Sequence, residues 1–300
     1  MPAKPSKTKL EKRVDTLLRV QDQTALERGD VGYMARALVL ATLPHKKTTE
    51  AFYKRSNGNF HLELSQNTSK VGLPYGSIPR LLLAFMATQA VKTQSPEINL
   101  GDNLSQFLAA LGLSRTGGRW GNITRVKDQM RRLAFCSMNL SRVEVDENGT
   151  TETFKNLQIA RSGSFHWAKD PNQKDLWDST VVLSDDFYLE IINHPVPLDM
   201  EILSALKQSP LALDIYSWLT YRTSYQKGRS KPIPWESLQA QFGSDYPKTA
   251  QGKAVFKSKF KAKLKEVTKL YTGANVDADA KNGLVISAGQ TSVPKVAKKK

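Results

Sequence analysis

Several things are scarce in this sequence. It has one cysteine, Cys136, so no internal disulfide can form, which suits a reducing compartment. No run approaches the roughly 18 uninterrupted apolar residues that a membrane helix requires. The segment from Met1 to Arg13 is basic, but no apolar signal segment follows it, so secretion is not expected. The four histidines, His45, His61, His166 and His194, are scattered and show no paired spacing for metal ligation. Their scatter also argues against a rolling-circle nicking nuclease, which needs a close histidine pair. Acid is outnumbered: 28 Asp and Glu face 44 Lys and Arg, a formal net charge of +16. Such an excess predicts attraction to a polyanion. Nucleic acid is favoured over an anionic membrane surface, because no long amphipathic anchor is evident.

What is there is unevenly placed. Residues 225–300 hold 16 Lys and Arg against 5 Asp and Glu, a surplus of +11. Residues 76–138 hold 8 against 3, a surplus of +5. Between them, residues 139–207 lean acidic, with Glu144, Asp146, Glu147, Asp175, Asp178, Asp185 and Asp186. Two basic blocks flanking an acidic one suit two separate phosphate-contacting units better than one extended surface.

The punctuation of the chain points the same way. Residues 1–13 and the tail from Gln290 to Lys300 read as disordered basic ends. Pro79 opens a helix to Val91, since its fixed φ suits a first turn. A short extended piece, Glu97 to Leu100, precedes a second helix, Asn103 to Leu111, with Gly112 as its C-terminal stop. The turn Thr116-Gly117-Gly118 leads to a third helix, capped by Asn122 and running to about Met138. Two alternating strands, 139–145 and 153–160, meet at Asn148-Gly149, a hairpin signal. Helix, strand, helix, turn, helix, hairpin is the layout of a winged helix-turn-helix. The order recurs more loosely: helices Leu198–Leu206, Pro210–Tyr225, Trp235–Phe242 and Lys248–Tyr271, a short strand at Ile233, and a hairpin around Asn282-Gly283. The expected fold class is α+β, two tandem winged-helix domains with disordered basic termini. Expected boundaries are 1–70 for a basic arm and leader helices, 71–195 and 196–289 for the two units, and 290–300 for the tail. A single irregular α+β domain is the competing reading.

Two helices carry the chemistry. On Asn122–Met138, Ile123, Val126, Met130, Leu133 and Ala134 form a core stripe at helical spacing. Thr124, Arg125, Asp128, Arg131 and Arg132 face the other way. Arginine suits bidentate contact with guanine or phosphate, although a plain solvated face has the same pattern. On Lys248–Tyr271, Lys257, Lys261, Lys265 and Lys269 stack at four-residue spacing. Like charges so placed repel, and phosphates with counterion release would offset that repulsion. The expected DNA-contacting set is Arg115, Arg119, Asn122, Thr124, Arg125, Arg131 and Arg132 in the first unit. In the second it is Lys248, Thr249, Lys253, Lys257, Lys261 and Lys265. The acidic block with Phe187, Leu189, Ile191 and Ile192 is either a partner surface or the completion of the first unit's core.

Other features are weaker. The run from Gly112 to Arg119 superficially resembles a phosphate loop, but Gly118 and Arg119 stand where lysine and a hydroxyl are needed. No catalytic residue, cofactor or metal site is expected. Cys136 reads as inert packing. Trp120, Trp167, Trp177, Trp218 and Trp235 read as packing rather than as base-stacking platforms.

The run Leu73-Pro74-Tyr75-Gly76-Ser77-Ile78-Pro79-Arg80-Leu81-Leu82-Leu83-Ala84 resembles the RepA-type plasmid replication initiator family. The likeness continues through Ile98-Asn99-Leu100-Gly101-Asp102, Thr116 to Gly121, Arg125 and Met130-Arg131-Arg132-Leu133. It returns at Leu211-Ala212-Leu213-Asp214-Ile215-Tyr216-Ser217-Trp218-Leu219-Thr220-Tyr221-Arg222. The resemblance implies a cytoplasmic bacterial protein with tandem winged helices that bind directly repeated origin sites in double-stranded DNA, called iterons. It also implies opening of an AT-rich segment, recruitment of the host initiator and replicative helicase, a monomer–dimer equilibrium and repression of its own gene. A dimeric winged-helix repressor is the alternative, and a nicking or strand-transfer enzyme is a more distant one.

Overall fold

The structure is a computed structural model that describes residues 9–68, 71–101, 103–118, 121–166, 179–243 and 245–294. It opens with helix α1 (Lys9–Asp22), strand β1 (Val31–Ala35), helix α2 (Arg36–Leu40) and strands β2 (Phe52–Asn57) and β3 (Phe60–Gln66). A first group follows: α3 (Ser77–Thr93), β4 (Glu97–Asn99), α4 (Leu104–Ala110) and α5 (Asn122–Ala134), then the hairpin β5 (Cys136–Asp146) and β6 (Gly149–Gln158). Strands β7 (Ala160–Ser164) and β8 (Thr180–Leu183), helix α6 (Asp185–Asn193) and strand β9 (Pro195–Asp199) lead onward. A second group comprises α7 (Met200–Leu206), α8 (Pro210–Tyr225), α9 (Trp235–Phe242), α10 (Ala250–Leu270) and strands β10 (Asn275–Asp277) and β11 (Val285–Ser287). The class is mixed α+β, as expected, and both groups keep the element order read from the sequence.

The centre is set by two helices that are apolar on nearly every side. In α3 the buried residues run almost without a break from Ile78 to Thr88, and in α8 from Leu211 to Thr220. A helix buried all round belongs in the middle of a fold, and α8 packs against α2, α3, α7, β9 and α10. One contiguous hydrophobic cluster runs from Met34 to Ile286 and takes in both groups. The amphipathic α5 docks on α3 through Val126, Met130 and Leu133.

The sheets correct the expected boundary at residue 70. Strand order in the largest sheet is β2-β3-β5-β6, with β3 pairing β5 from Phe60↔Arg142 to Gln66↔Cys136. The segment expected to hold leader helices thus supplies half of the first unit's sheet, because its alternating Tyr53, Arg55, Leu62 and Leu64 face the core. Strand β1 pairs β9 from Val31↔Asp199 to Ala35↔Pro195, which also bridges the expected boundary at 195. Strand β4 joins β8 and β7 in a separate sheet.

Three further expectations need correction, and one open choice is decided. The β5–β6 turn falls on Glu147 and Asn148, because Asp146 pairs with Gly149. Residues 9–13, expected in a disordered arm, begin α1. The first part of the tail is tied down: Tyr271 donates to the Gln290 carbonyl at 2.8 Å, Ser292 Oγ meets Tyr216 Oη at 2.7 Å, and Val293 is buried. Finally, Phe187 and Ile191 are core, with only Leu189 of that group well exposed, so the acidic block's apolar residues mainly complete the interior.

Candidate nucleic-acid interface

The entry to α5 is built by close packing of its preceding turn. Gly121 is the N-cap and offers no side chain. A Cβ there would fall 2.3 Å from the Thr116 carbonyl and 2.1 Å from that of Gly117, so only glycine fits. Asn122, expected as the cap, instead donates from Nδ2 to the Ser114 carbonyl at 2.8 Å, while its backbone N–H donates to Thr116 Oγ1 at 2.9 Å. Thr124 Oγ1 donates to the Gly118 carbonyl at 2.9 Å. Both residues therefore shape the turn.

The arginines of α5 divide. Arg115, on the turn, and Arg125 and Arg131 on the helix are exposed. Arg125 lines a polar cleft of about 450 Å³ together with Ser114, Asn122, Lys207 and Gln208. Arg132, placed on the polar face by the sequence, is buried instead. Its Nε donates to Asp128 Oδ2 at 2.8 Å and its Nη1 to the Leu73 carbonyl at 3.1 Å, and its guanidinium lies 5.3 Å from the Tyr75 ring centre. The long side chain curls under the helix to satisfy a backbone carbonyl, which a helical wheel cannot show. Arg119 and Trp120 lie outside the described residues, as do Trp167 and Trp177.

The second group repeats the plan with different chemistry. The Thr249 hydroxyl caps α10, accepting from the Gly252 N–H at 3.1 Å, and Lys248 precedes it on the surface. Phe256, Phe260, Leu264 and Val267 bury one side, leaving Lys253, Lys257, Lys259, Lys265 and Lys269 exposed. Strand β11 is approached by an isolated bridge, Ile233↔Leu284. A Cβ on Gly283 would sit 2.1 Å from the Ile233 carbonyl, so glycine is needed for that contact.

The lysine repulsion is offset partly within the chain. Lys253 pairs with Glu236 at 3.2 Å, Lys261 with Asp279 at 2.5 Å and Lys263 with Glu266 at 2.8 Å. Lys257 and Lys261 lie 5.0 and 5.8 Å from the Trp235 ring centre, a cation–π arrangement. The Lys261 hydrogen bond holds the Asp279 carboxyl below its usual range. Of Lys257, Lys261 and Lys265, Lys257 and Lys265 thus remain the more available.

Sequence reasoning missed the joint between the groups. Arg80 of α3 donates from Nε to Asp214 Oδ1 at 2.6 Å and from Nη2 to Oδ2 at 2.8 Å, a bidentate pair. Its remaining donors meet the Leu43, Pro44 and Gly76 carbonyls, and His45 Nε2 lies 2.7 Å from Asp214 Oδ2. Burial pushes the Asp214 carboxyl up, but Arg80 and His45 outweigh it and hold it below the ordinary range. Burial drives the His45 imidazole below its ordinary value, against the Asp214 hydrogen bond. The signal was present: Arg80 and Asp214 are charges inside otherwise apolar runs. Together with Leu73 and Tyr75, whose backbone groups meet Arg132 and Gln129 of α5, they show that the most distinctive sequence runs are structural joints.

Comparison with known proteins follows this geometry. No curated protein matches the sequence. A selenomethionine crystal structure of domains 2 and 3 of RctB is similar at 12% identity with a TM-score of 0.53, covering 84% of this chain and 97% of that one. A second structure of the same RctB domains covers 84% and 96% at 12% identity and a TM-score of 0.49. The first of these shows a shared fold. The model of the family described as plasmid encoded RepA protein matches residues 73–236, which span α3 to the start of α9 and include both Arg80 and Asp214. The chain belongs to the plasmid-encoded RepA family of replication initiators.

Proposed function

We propose that this chain starts plasmid replication as a DNA-binding protein without a catalytic step of its own. It recognises directly repeated origin sites through two winged-helix units. The observation that carries the reading is the recurrence, on one shared core, of helix, turn, basic helix and hairpin: α4, α5 and β5–β6, then α9, α10 and β10–β11. In such units the second helix enters the major groove and the flanking parts hold phosphates. Arg125 and Arg131 supply base discrimination in this reading. Lys248, Lys257 and Lys265 supply affinity and register. Opening of adjacent AT-rich DNA, recruitment of the host initiator and helicase, self-association and repression of its own gene complete the proposal, by analogy with the family.

Footprinting on the parent replicon tests it. Protection of direct repeats spaced by whole helical turns, about 10–10.5 base pairs each, is the expected result. Protection of one inverted repeat upstream of the gene, with none at an origin, would instead favour a repressor.

A further inference from the structure

Arg55 of β2 is shielded from solvent completely, with its side chain 0% exposed. Among the described residues, its Nε, Nη1 and Nη2 meet no hydrogen-bond acceptor. The Tyr53 ring centre lies 4.9 Å from its Cζ on the same face of β2, and the Asp245 carboxylate reaches toward Nη2 at 4.0 Å. A buried charge without a direct partner is costly, and the partly exposed Asp245 carboxylate, at 4.0 Å, is the opposite charge that approaches it. The two residues belong to different units: β2 to the first unit's sheet, Asp245 to the turn between α9 and α10.

The surroundings say what this attraction acts on. Helix α9 packs on β2. The end of α9 is fastened to the N-terminal segment, with Thr42 Oγ1 donating to the Gln241 carbonyl at 3.3 Å and Gln241 Nε2 to the Leu40 carbonyl at 3.0 Å. Asn57 Nδ2 donates to that same Leu40 carbonyl at 3.0 Å. Beyond this anchored end the chain reverses, Gln239 Nε2 holding the Tyr246 and Pro247 carbonyls at 3.3 and 3.1 Å, and Thr249 caps α10. The placement of the turn therefore sets the direction of α10.

We propose that Arg55 is a positioning residue for DNA binding. By attracting Asp245, it fixes the turn that presents Lys248, Thr249 and Lys253 at the start of α10. The proposal rests on reading α10 as a DNA-contacting helix. A shift of Asp245 by about 1 Å turns the contact into a charge-assisted hydrogen bond of ordinary length. Both residues lie outside the family-matched span of 73–236, so the first unit's edge strand orients the second unit's helix through residues the family match does not cover.

The test uses the full chain and the sign of an electrostatic effect. Asp245 is an acid beside a DNA-binding helix, so removing its charge should tighten binding if it only repels phosphates. If it is a positioner, Asp245→Asn weakens binding to a mixed-sequence duplex by about tenfold, with an unchanged salt slope, in a chain that remains folded at the assay temperature although the unpaired Arg55 lowers its unfolding temperature. Arg55→Met should weaken binding similarly, and the double variant should be no weaker than either single one. If Arg55→Met does not fold, the solvent-accessible Asp245 decides alone. Tighter or unchanged binding by Asp245→Asn, while Lys257→Ala and Lys265→Ala lower the salt slope, overturns the positioning role alone. Unchanged slopes in those lysine variants overturn the DNA-contacting reading of α10, and the positioning role with it.

Discussion

Helices α5 and α10 each follow a shorter helix and precede a pair of strands, but they are built from opposite materials. The exposed face of α5 carries arginines, and several of its expected DNA contacts prove to have inward tasks: Arg132 satisfies the Leu73 carbonyl, while Asn122 and Thr124 tie the turn. The face of α10 is lysine-rich, and its charges are moderated by Glu236, Asp279 and Glu266 on its rim. Arginine's fixed fork holds geometry, whereas lysine is a point charge on a flexible stem. Under the proposed function, that contrast assigns discrimination over a small area to α5 and affinity along the DNA backbone to α10.

That contrast can be broken at its hinge first. Arg80→Ala or Asp214→Ala leaves a buried charge unpaired and should cost about 3–5 kcal/mol of stability. In urea, the single transition expected from one shared core should split or broaden. The paired replacement Arg80→Met with Asp214→Leu should recover only part of the loss, because the Leu43, Pro44 and Gly76 carbonyls and His45 still lose their partners.

The arginines of α5 should separate next. Arg125→Ala should relax base discrimination by about 1–3 kcal/mol per lost base contact with unchanged thermal stability. Arg132→Ala should do the reverse, losing roughly 1–3 kcal/mol of stability by stranding a buried carbonyl. Competition binding on matched and mismatched duplexes, alongside thermal unfolding, reads both.

His45 links the halves to pH. Its folded-state value lies below the ordinary 6.5, so as pH falls through that value the unfolded chain takes a proton that the folded chain refuses. Stability is complete above about pH 6.5 and declines below it, by up to about 1.4 kcal/mol per pH unit. His45→Gln should flatten this slope in denaturation curves collected between pH 7 and 5, values chosen to bracket the usual imidazole range of about 6.5. A slope unchanged by His45→Gln would place the titration elsewhere.

The smallest effect sharpens the view of α10. Lys265→Ala should lower the salt slope of DNA binding by about 1. Lys261→Ala should lower it by less, because Asp279 already neutralises that charge. Equal losses would show that Asp279 releases Lys261 on binding.

Much of the fold was legible, for identifiable reasons. The helix expected at Pro79–Val91 runs from Ser77 to Thr93, since a proline start and an apolar run are local signals. The bridge at Ile233 and the hairpin around Asn282-Gly283 were likewise legible from turn chemistry. The site was less so. Arg132 and Arg125 look alike on a helical wheel, and only the course of residues 73–75 beneath α5 separates them. The lysine stripe was readable by spacing, but its partners Glu236 and Asp279 come from elements 17 and 18 residues away.

Sequence alone determined the local alphabet of this protein. Basic blocks, helix starts, glycine turns and periodic apolar faces act over a few residues and need no knowledge of what packs beside them. Tertiary structure decided what joins what. The pairing of β3 with β5, the Arg80–Asp214 bond across 134 residues and the burial of Arg55 beside Asp245 depend on where the chain returns. Periodicity does not encode that return, because many partners of equal hydrophobicity would satisfy the same face.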